Sequence, residues 1–495
     1  MSFPAPPIPP PPIPPPPIPS LEGPALSPAS LQLLPWLVAV AFFMESLDTT
    51  ILNTAVPAVA AALHVGPLAM KAVLASYTLS LAVFIPISGW MADRFGTRRV
   101  FAAAIGLFTL GSLLCGLCSN IHLLVACRVI QGMGGAMMVP VGRLTLVRSF
   151  AKADLLRVMS FVSVPALVAP MLGPVAGGLI VGYAHWRVIF FLNIPIGLLG
   201  LVMVYLHLPD FKEEHVHPLD FVGLVLFGSG IALLSYVLEV FGEHELSSRE
   251  ITGLLLLSFA LLAAYWVHAR QLQFPLLNLH LFDIRTFRIS VNGSFFTRLG
   301  IGGVPFLLPL LYQTGLGYTP VQSGLLIVPQ AIAAMGMKAI LRKLLAGIGY
   351  KAVLISNTLA IGLMLISLTT IRLHTSVVQI VAIACFYGAC TSLQYTTMNT
   401  LVYADVEEKD ASSASSIAST MQQMSISFGV AFAGLTTAFF VPGKAYSDSA
   451  LMITGIHKAL LCLGALTLAS TIVFIGLKRG DGDTVNEHKL LHPDG

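Results

Sequence analysis

The chain has 495 residues, 56% of them hydrophobic and only 10% Asp, Glu, Lys or Arg, with a mean hydropathy of +0.84. A water-soluble domain of this length needs far more polar surface, so the composition excludes that class and points to a membrane protein. The net charge of +4 comes with no basic cluster interleaved with aromatics, so no nucleic-acid partner is expected.

Residues 1–30 open with Pro-Pro-Ile-Pro-Pro-Pro-Pro-Ile-Pro, a run that favours an extended, disordered tail. Such a tail is either inert or a ligand for SH3-like partners. From there, apolar stretches near 20 residues recur, each able to cross a hydrocarbon core of roughly 30 Å. They are continuously apolar and do not alternate, which makes them helices. Spans are expected near 36–59, 70–91, 99–118, 123–146, 157–181, 186–208, 219–241, 251–268, 289–312, 320–342, 350–370, 377–403, 411–440 and 454–476. That makes an all-α polytopic membrane protein of fourteen transmembrane helices, lying in the lipid bilayer as a monomer. All six cysteines fall inside these spans. Cys115-x-x-Cys118 has no second Cys/His pair at ligand spacing, so it reads as buried small side chains, and no metal or cofactor is expected.

An even count puts both termini on one side of the membrane. Of the 27 Lys and Arg residues, seventeen fall in loops on that side, including Arg94, Arg98, Arg99, Arg148, Lys212, Arg285 and Lys478. Six fall in the opposite loops and four, Arg128, Arg143, Arg298 and Lys338, inside spans. The positive-inside rule makes the side of the termini cytoplasmic. The polar stretch 209–218 and the stretch 269–288 divide the chain as six plus two plus six spans. The expected units are a tail (1–30), a six-helix bundle (31–208), a two-helix insertion (209–284), a second six-helix bundle (285–477) and a C-terminal tail (478–495). A faint repeat relates Gly89–Arg99 to Leu341–Lys351, with Gly349 and Lys351 echoing Gly96 and Arg98. Paired six-helix halves build a central transport site between rocking bundles.

The charged turn Gly89-Trp-Met-Ala-Asp93-Arg94-Phe-Gly96-Thr-Arg98-Arg99 resembles the loop signature of the major facilitator superfamily. Arg128-x-x-Gln131-Gly132-x-Gly134-Gly135 resembles that family's fourth-helix motif. Gly173-Pro174-x-x-Gly177-Gly178 resembles its fifth-helix antiporter motif, with Ala169 where a glycine is usual. Leu47-Asp48-Thr49-Thr50-Ile51-Leu52-Asn53-Thr54-Ala55-Val56-Pro57 and Trp186–Gly197 resemble signatures of the fourteen-span drug:proton antiporter-2 family. The resemblance covers about residues 31–477. It implies the major facilitator fold, a bacterial cytoplasmic (inner) membrane location, and proton-coupled export by alternating access.

Asp48 lies near the middle of the first span, where a carboxylate is either a protonation switch or a hydrogen-bonding partner across a helix interface. Glu45 is three residues earlier on the same helical face, so the two could share or relay a proton. Arg128 needs an anionic or carbonyl partner in the membrane; it either senses the first-helix carboxylates or packs statically. Gly173, Pro174, Gly177 and Gly178 form a bend that seals against leak or simply packs. Gly89, Asp93, Arg94, Gly96, Arg98 and Arg99 are gating candidates, the arginines equally readable as topology anchors. Arg298 is a candidate site residue in the second half, while Lys338 and Arg143 could snorkel. Gln131, Gln330, Tyr395 and Asn399, with Gln313, Gln394, Gln422 and Gln423, either line a polar cavity or bond between helices.

The expected function is therefore a proton-driven exporter of small amphipathic molecules. Four basic residues inside the spans of the two halves against two acids, Glu45 and Asp48, keep open the export of organic anions or metal–carboxylate complexes. A non-transporting receptor is a weaker alternative. No Walker loop, nucleophile–base pair or metal-ligand cluster is recognisable, so neither an enzyme nor ATP-driven transport is expected.

Overall fold

The computed structural model describes residues 28–150, 152–213, 216–240, 247–407, 410–441 and 448–482. The proline run and most of the C-terminal tail lie outside these residues.

Among the described residues fourteen helical passes follow one another. They are α1 (Pro28–Ala62), α2 (Pro67–Phe95, entered by a 3-10 turn), α3 (Thr97–Leu117), α4 (Ile121–Ser149), α5 (Lys152–Tyr183), α6 (Val188–His207), α7 (Phe221–Val240), α8 (Ser248–Gln271), α9 (Arg285–Gly315), α10 (Pro320–Ile348), α11 (Tyr350–Ser367), α12 (Val377–Leu401), α13 (Ala411–Phe440) and α14 (Ser449–Ile475). Thirteen are long and apolar enough among the described residues to cross a membrane, and within α5 the apolar stretch Val168–Tyr183 is shorter. Each expected span coincides with one helix. Several ends are fixed by local chemistry. The Asn120 carboxamide accepts from the Leu123 amide at 2.9 Å, Thr319 and Gln322 form a capping box at α10, and Asp448 accepts from Ala450 and Leu451. These side chains replace partners that the first N–H groups of a helix lack.

The repeat seen in the sequence has a backbone counterpart. Gly96 ends α2 with φ +95° and Gly349 ends α10 with φ +82°, a region that favours glycine. Their N–H groups bond back to Ala92 and Leu345 in the same way.

In the first half α1 packs on α5, and α4 on both α2 and α3; in the second, α10 packs on α12, α11 on α14, and α9 on α13 and α14. The halves meet along α2 with α13, and along α5 with α10. The inserted helices α7 and α8 pack on each other, and α7 also touches α2 and α13, at the seam between halves.

Candidate functional site

A cavity of about 1010 Å³ lies between the halves. One wall comes from α1, α2 and α4, including Phe42, Glu45, Gly89, Asp93, Gly135 and Arg143. The other comes from Asn399 on α12 and a hydroxyl- and amide-rich run of α13 that includes Ser412, Ser415, Ser416, Ser419, Gln422 and Gln423. Residues 275–278, just after α8, complete it. Its lining reaches Asp93 and Ala411, so it opens toward the face that carries the charged 89–99 turn.

At the opposite face the halves are closed on each other. Gln313 donates to the Thr54 carbonyl at 2.8 Å. A Cβ on Gly178 would collide with the Pro320 carbonyl, and one on Gly324 with the Pro174 carbonyl, so two glycines bring α5 and α10 into backbone contact. Gly173 and Gly177 do the same against Thr50 and Ile51 of α1. One face open and the other sealed is the geometry of a single alternating-access state.

Asp48 does not line the cavity. It is 2% exposed, and both carboxylate oxygens are spent inside the first half. Oδ2 accepts from Arg128 Nη1 at 2.5 Å; Oδ1 accepts from Gln131 Nε2 at 2.9 Å and Asn193 Nδ2 at 3.0 Å. Arg128 also donates to Gln131 Oε1 at 2.7 Å, and Asn193 donates to Ser112 Oγ at 3.0 Å. The Arg128 guanidinium lies 4.1 Å from the Tyr77 ring centroid. This network ties α1, α2, α3, α4 and α6 together around one ion pair. Glu45, one turn before Asp48, does line the cavity, within electrostatic reach of Asp48 and of Arg143.

The charged turn is strapped to its own half. Asp93 accepts from Arg148 Nη2 at 2.9 Å, and the same Arg148 nitrogen donates to Glu213 at 2.9 Å. Arg98 Nε donates to the Leu208 carbonyl at 2.5 Å, its backbone N–H donates to Asp210 Oδ1 at 3.1 Å, and Gly96 leaves room for that carboxylate. Gly349 has open space where Gly96 meets Asp210; Lys351 donates to the Ile475 carbonyl at 3.0 Å as Arg98 does to Leu208, so among the described residues it is the carboxylate part of the strap that is found on the first half only.

Of the residues expected in the cavity, Asn399, Gln422 and Gln423 line it. Gln131 instead belongs to the Asp48 network. Arg298 is buried behind the wall, bonded to Asn399 Oδ1 at 3.1 Å and Ser294 Oγ at 2.9 Å and stacked on Tyr395 at 3.9 Å. Gln330 is not among the lining residues; its backbone packs against Gly388. Gln394 is spent on Asn357 and Thr358. Lys338 is exposed. Asn193, Arg148 and Glu213 were not singled out from the sequence. A lone amide in the apolar run of α6 was the available signal for Asn193.

A family model described as Major Facilitator Superfamily matches residues 38–430. The chain belongs to the major facilitator superfamily. A relative from Serratia proteamaculans (strain 568) that carries the multidrug-resistance name MdtD is 38% identical over 470 residues, covering 94% of this chain and 97% of that one. Two solved structures show the same fold at low identity. The POT family transporter PepTSo superposes with a TM-score of 0.67 at 12% identity, covering 93% of this chain and 98% of that one. A D-xylose–proton symporter superposes with a TM-score of 0.64 at 15% identity, covering 92% and 99%. In a major facilitator protein the one-sided cavity is a place for a transported molecule, and Glu45, Arg143, Asn399 and the Ser/Gln face of α13 are the groups available to touch it.

Proposed function

We propose that this chain is a proton-coupled exporter that moves small amphipathic molecules out of the cytoplasm by alternating access, acting as a monomer in a bacterial inner membrane. In this reading the termini and the open face of the cavity are cytoplasmic, as the Lys/Arg bias of the loops indicates. One observation carries the coupling: Asp48 is a membrane-buried carboxylate paired with Arg128, one turn from a second carboxylate in the cavity. Protonating Asp48 removes the charge that holds Arg128, and an unpaired buried cation is costly. The network must then rearrange, and that rearrangement links proton binding to the movement of the halves. The name of the MdtD relatives supports a drug-like substrate class.

The roles follow from the positions. Asp48, Glu45 and Arg128 couple protons. Gly89, Asp93, Arg94, Gly96, Arg98 and Arg99 form the cytoplasmic latch, built on one half and released from the other when the cavity is open. Gly173, Pro174, Gly177 and Gly178 seal the outer face. A second reading, export of organic anions, draws on Arg143 in the cavity wall and on Arg298, which makes no ion pair among the described residues.

The test uses inverted membrane vesicles with an imposed pH gradient and a panel of cationic and anionic compounds. Asp48→Asn is expected to insert normally and to abolish gradient-driven uptake. Retained uptake in that variant overturns the coupling assignment, and uptake of anions alone selects the second reading.

A further inference from the structure

We propose that the Tyr77 hydroxyl is the relay that carries a proton from Glu45 in the cavity wall to Asp48 behind it. The proposal rests on the proton-coupled reading above and names the path that reading requires. Asp48 is sealed from the cavity, yet its proton must come from there. Glu45 is at the wall, but the two carboxyl groups are not hydrogen-bonded to each other: the Asp48 oxygens are turned to Arg128, Gln131 and Asn193, and the carboxylate of Glu45 has Ser46 Oγ as its neighbour at 3.5 Å. Something must bridge the gap.

Tyr77 comes from α2 and stands where both carboxylates and Arg128 act on it. Its ring lies under the Arg128 guanidinium. Its hydroxyl is buried and bonded to neither carboxylate in this state; its polar neighbour is the Thr49 hydroxyl. Thr49, also beside it, donates its own hydroxyl proton to the Glu45 carbonyl at 2.9 Å. A buried hydroxyl this poorly bonded is unfavourable, and such groups are kept where they serve a function. The hydroxyl lies just behind the cavity wall: Tyr77 does not itself line the cavity, but a Cβ built on the lining residue Gly135 would come 2.8 Å from it. A side chain at 135 would thus press on this oxygen.

A phenol donates one proton and accepts another, so it can pass charge without ionising. The neutral Glu45 carboxyl gives its proton, through one water, to Tyr77 Oη, while the O–H proton of Tyr77 leaves for a carboxylate oxygen of Asp48. Glu45 ends ionised, Asp48 ends neutral, and rotation of the new O–H resets the tyrosine. Arg128, released by Asp48, keeps the face of the Tyr77 ring as its cation–π partner. The charged and titratable groups around this path are Glu45 and Asp48 on α1, Arg128 and Arg143 on α4, and Cys115 on α3 beyond Arg128.

The test needs no identified substrate. Purified protein in liposomes is taken through a rapid pH jump, and the carboxyl stretching bands are followed by infrared spectroscopy, with Asp48→Asn to assign the Asp48 band. Tyr77→Phe keeps the ring under Arg128 and removes only the hydroxyl. The expected result is that the Asp48 band appears roughly a hundredfold more slowly or worse, within the range that losing a proton-transfer group produces, with thermal stability unchanged or higher. Gly135→Ala, which displaces the hydroxyl, is expected to slow the band as well, and it serves alone if the phenylalanine variant does not fold. An unaltered rate in the folded variants overturns the relay and leaves the coupling role of Asp48 standing. If Asp48→Asn removes no band, Asp48 does not titrate, and the coupling reading falls together with the relay.

Discussion

Arg128 Nη1 stands 2.5 Å from Asp48 Oδ2, and each of these side chains is 1% exposed. A pair buried this deeply is costly to break from one side, because the survivor keeps its desolvation cost without its partner. Asp48→Asn alone and Arg128→Gln alone are each expected to lower stability by about 3–5 kcal/mol. The double variant is expected to recover much of that loss, since neither charge is then left alone. Thermal melting of the four purified proteins in one detergent gives the cycle directly. Additive losses would mean that the two residues do not act as a pair.

The outer seal gives a second prediction. A Cβ on Gly182 of α5 falls 3.1 Å from Cγ2 of Val321 on α10. The sulfur of a cysteine at 321 would take the place of that methyl group. Gly182→Cys with Val321→Cys, made in a chain with its six native cysteines replaced, is expected to form a disulfide on mild oxidation. Transport should then stop and should return on reduction, because α5 and α10 belong to opposite halves that must separate. Full transport by the oxidised pair would show that this contact persists through the cycle.

Much of this was legible in the sequence because the membrane imposes few options. Apolar length alone located all fourteen helices, and charges that lipid cannot tolerate marked Asp48, Arg128 and the 89–99 turn. The partners were harder. Asn193 and Tyr77 are neutral, so a lone amide and a phenol in apolar runs carry only a weak signal until the fold brings them to the Asp48 network. Arg298 stood out by its charge, but only the structure shows it stacked on Tyr395 behind Asn399 rather than in the cavity wall. The glycine spacing at 173–178 was visible as a pattern. That Gly178 and Gly324 each meet the other half's backbone depends on how the halves dock, which spacing within one helix does not encode.

The strap on the charged turn leads to a third prediction. Asp93, Arg148 and Glu213 are 33%, 19% and 41% exposed as side chains, so water screens their attraction. Asp93→Asn should therefore cost less than about 1 kcal/mol in melting experiments. Its effect should fall on the distribution of states: a cysteine label at Ser416 in the cavity should react at a changed rate when the latch is weakened. A large loss of stability with unchanged labelling would make Asp93 a structural residue and not part of a latch.

The inserted helices act on the cavity through Asp220, which sits just before α7. Its Oδ1 accepts from the Gly223 amide and from His268 Nε2, both at 2.7 Å, and its Oδ2 accepts from the Leu276 amide at 3.0 Å. Leu276 lies in the 275–278 segment that closes the cavity wall, so this carboxylate ties the start of α7 and the side of α8 to that wall. Burial alone would raise the Asp220 pKa, but the hydrogen bonds from His268, Gly223 and Leu276 together hold it below the usual carboxylate range. With the folded value depressed, the unfolded chain binds more protons in the interval between the two values. Stability from Asp220 is thus complete above the unfolded value of about 4 and is lost as pH falls through the folded value. The melting temperature should fall with acid over that interval, and Asp220→Asn should flatten the fall while lowering the neutral-pH value. The same variant loosens the wall, so transport should show a raised KM with a smaller change in maximal rate. An acid limb that is identical in the variant would mean that the protons are taken up elsewhere and that Asp220 does not hold the wall through its charge.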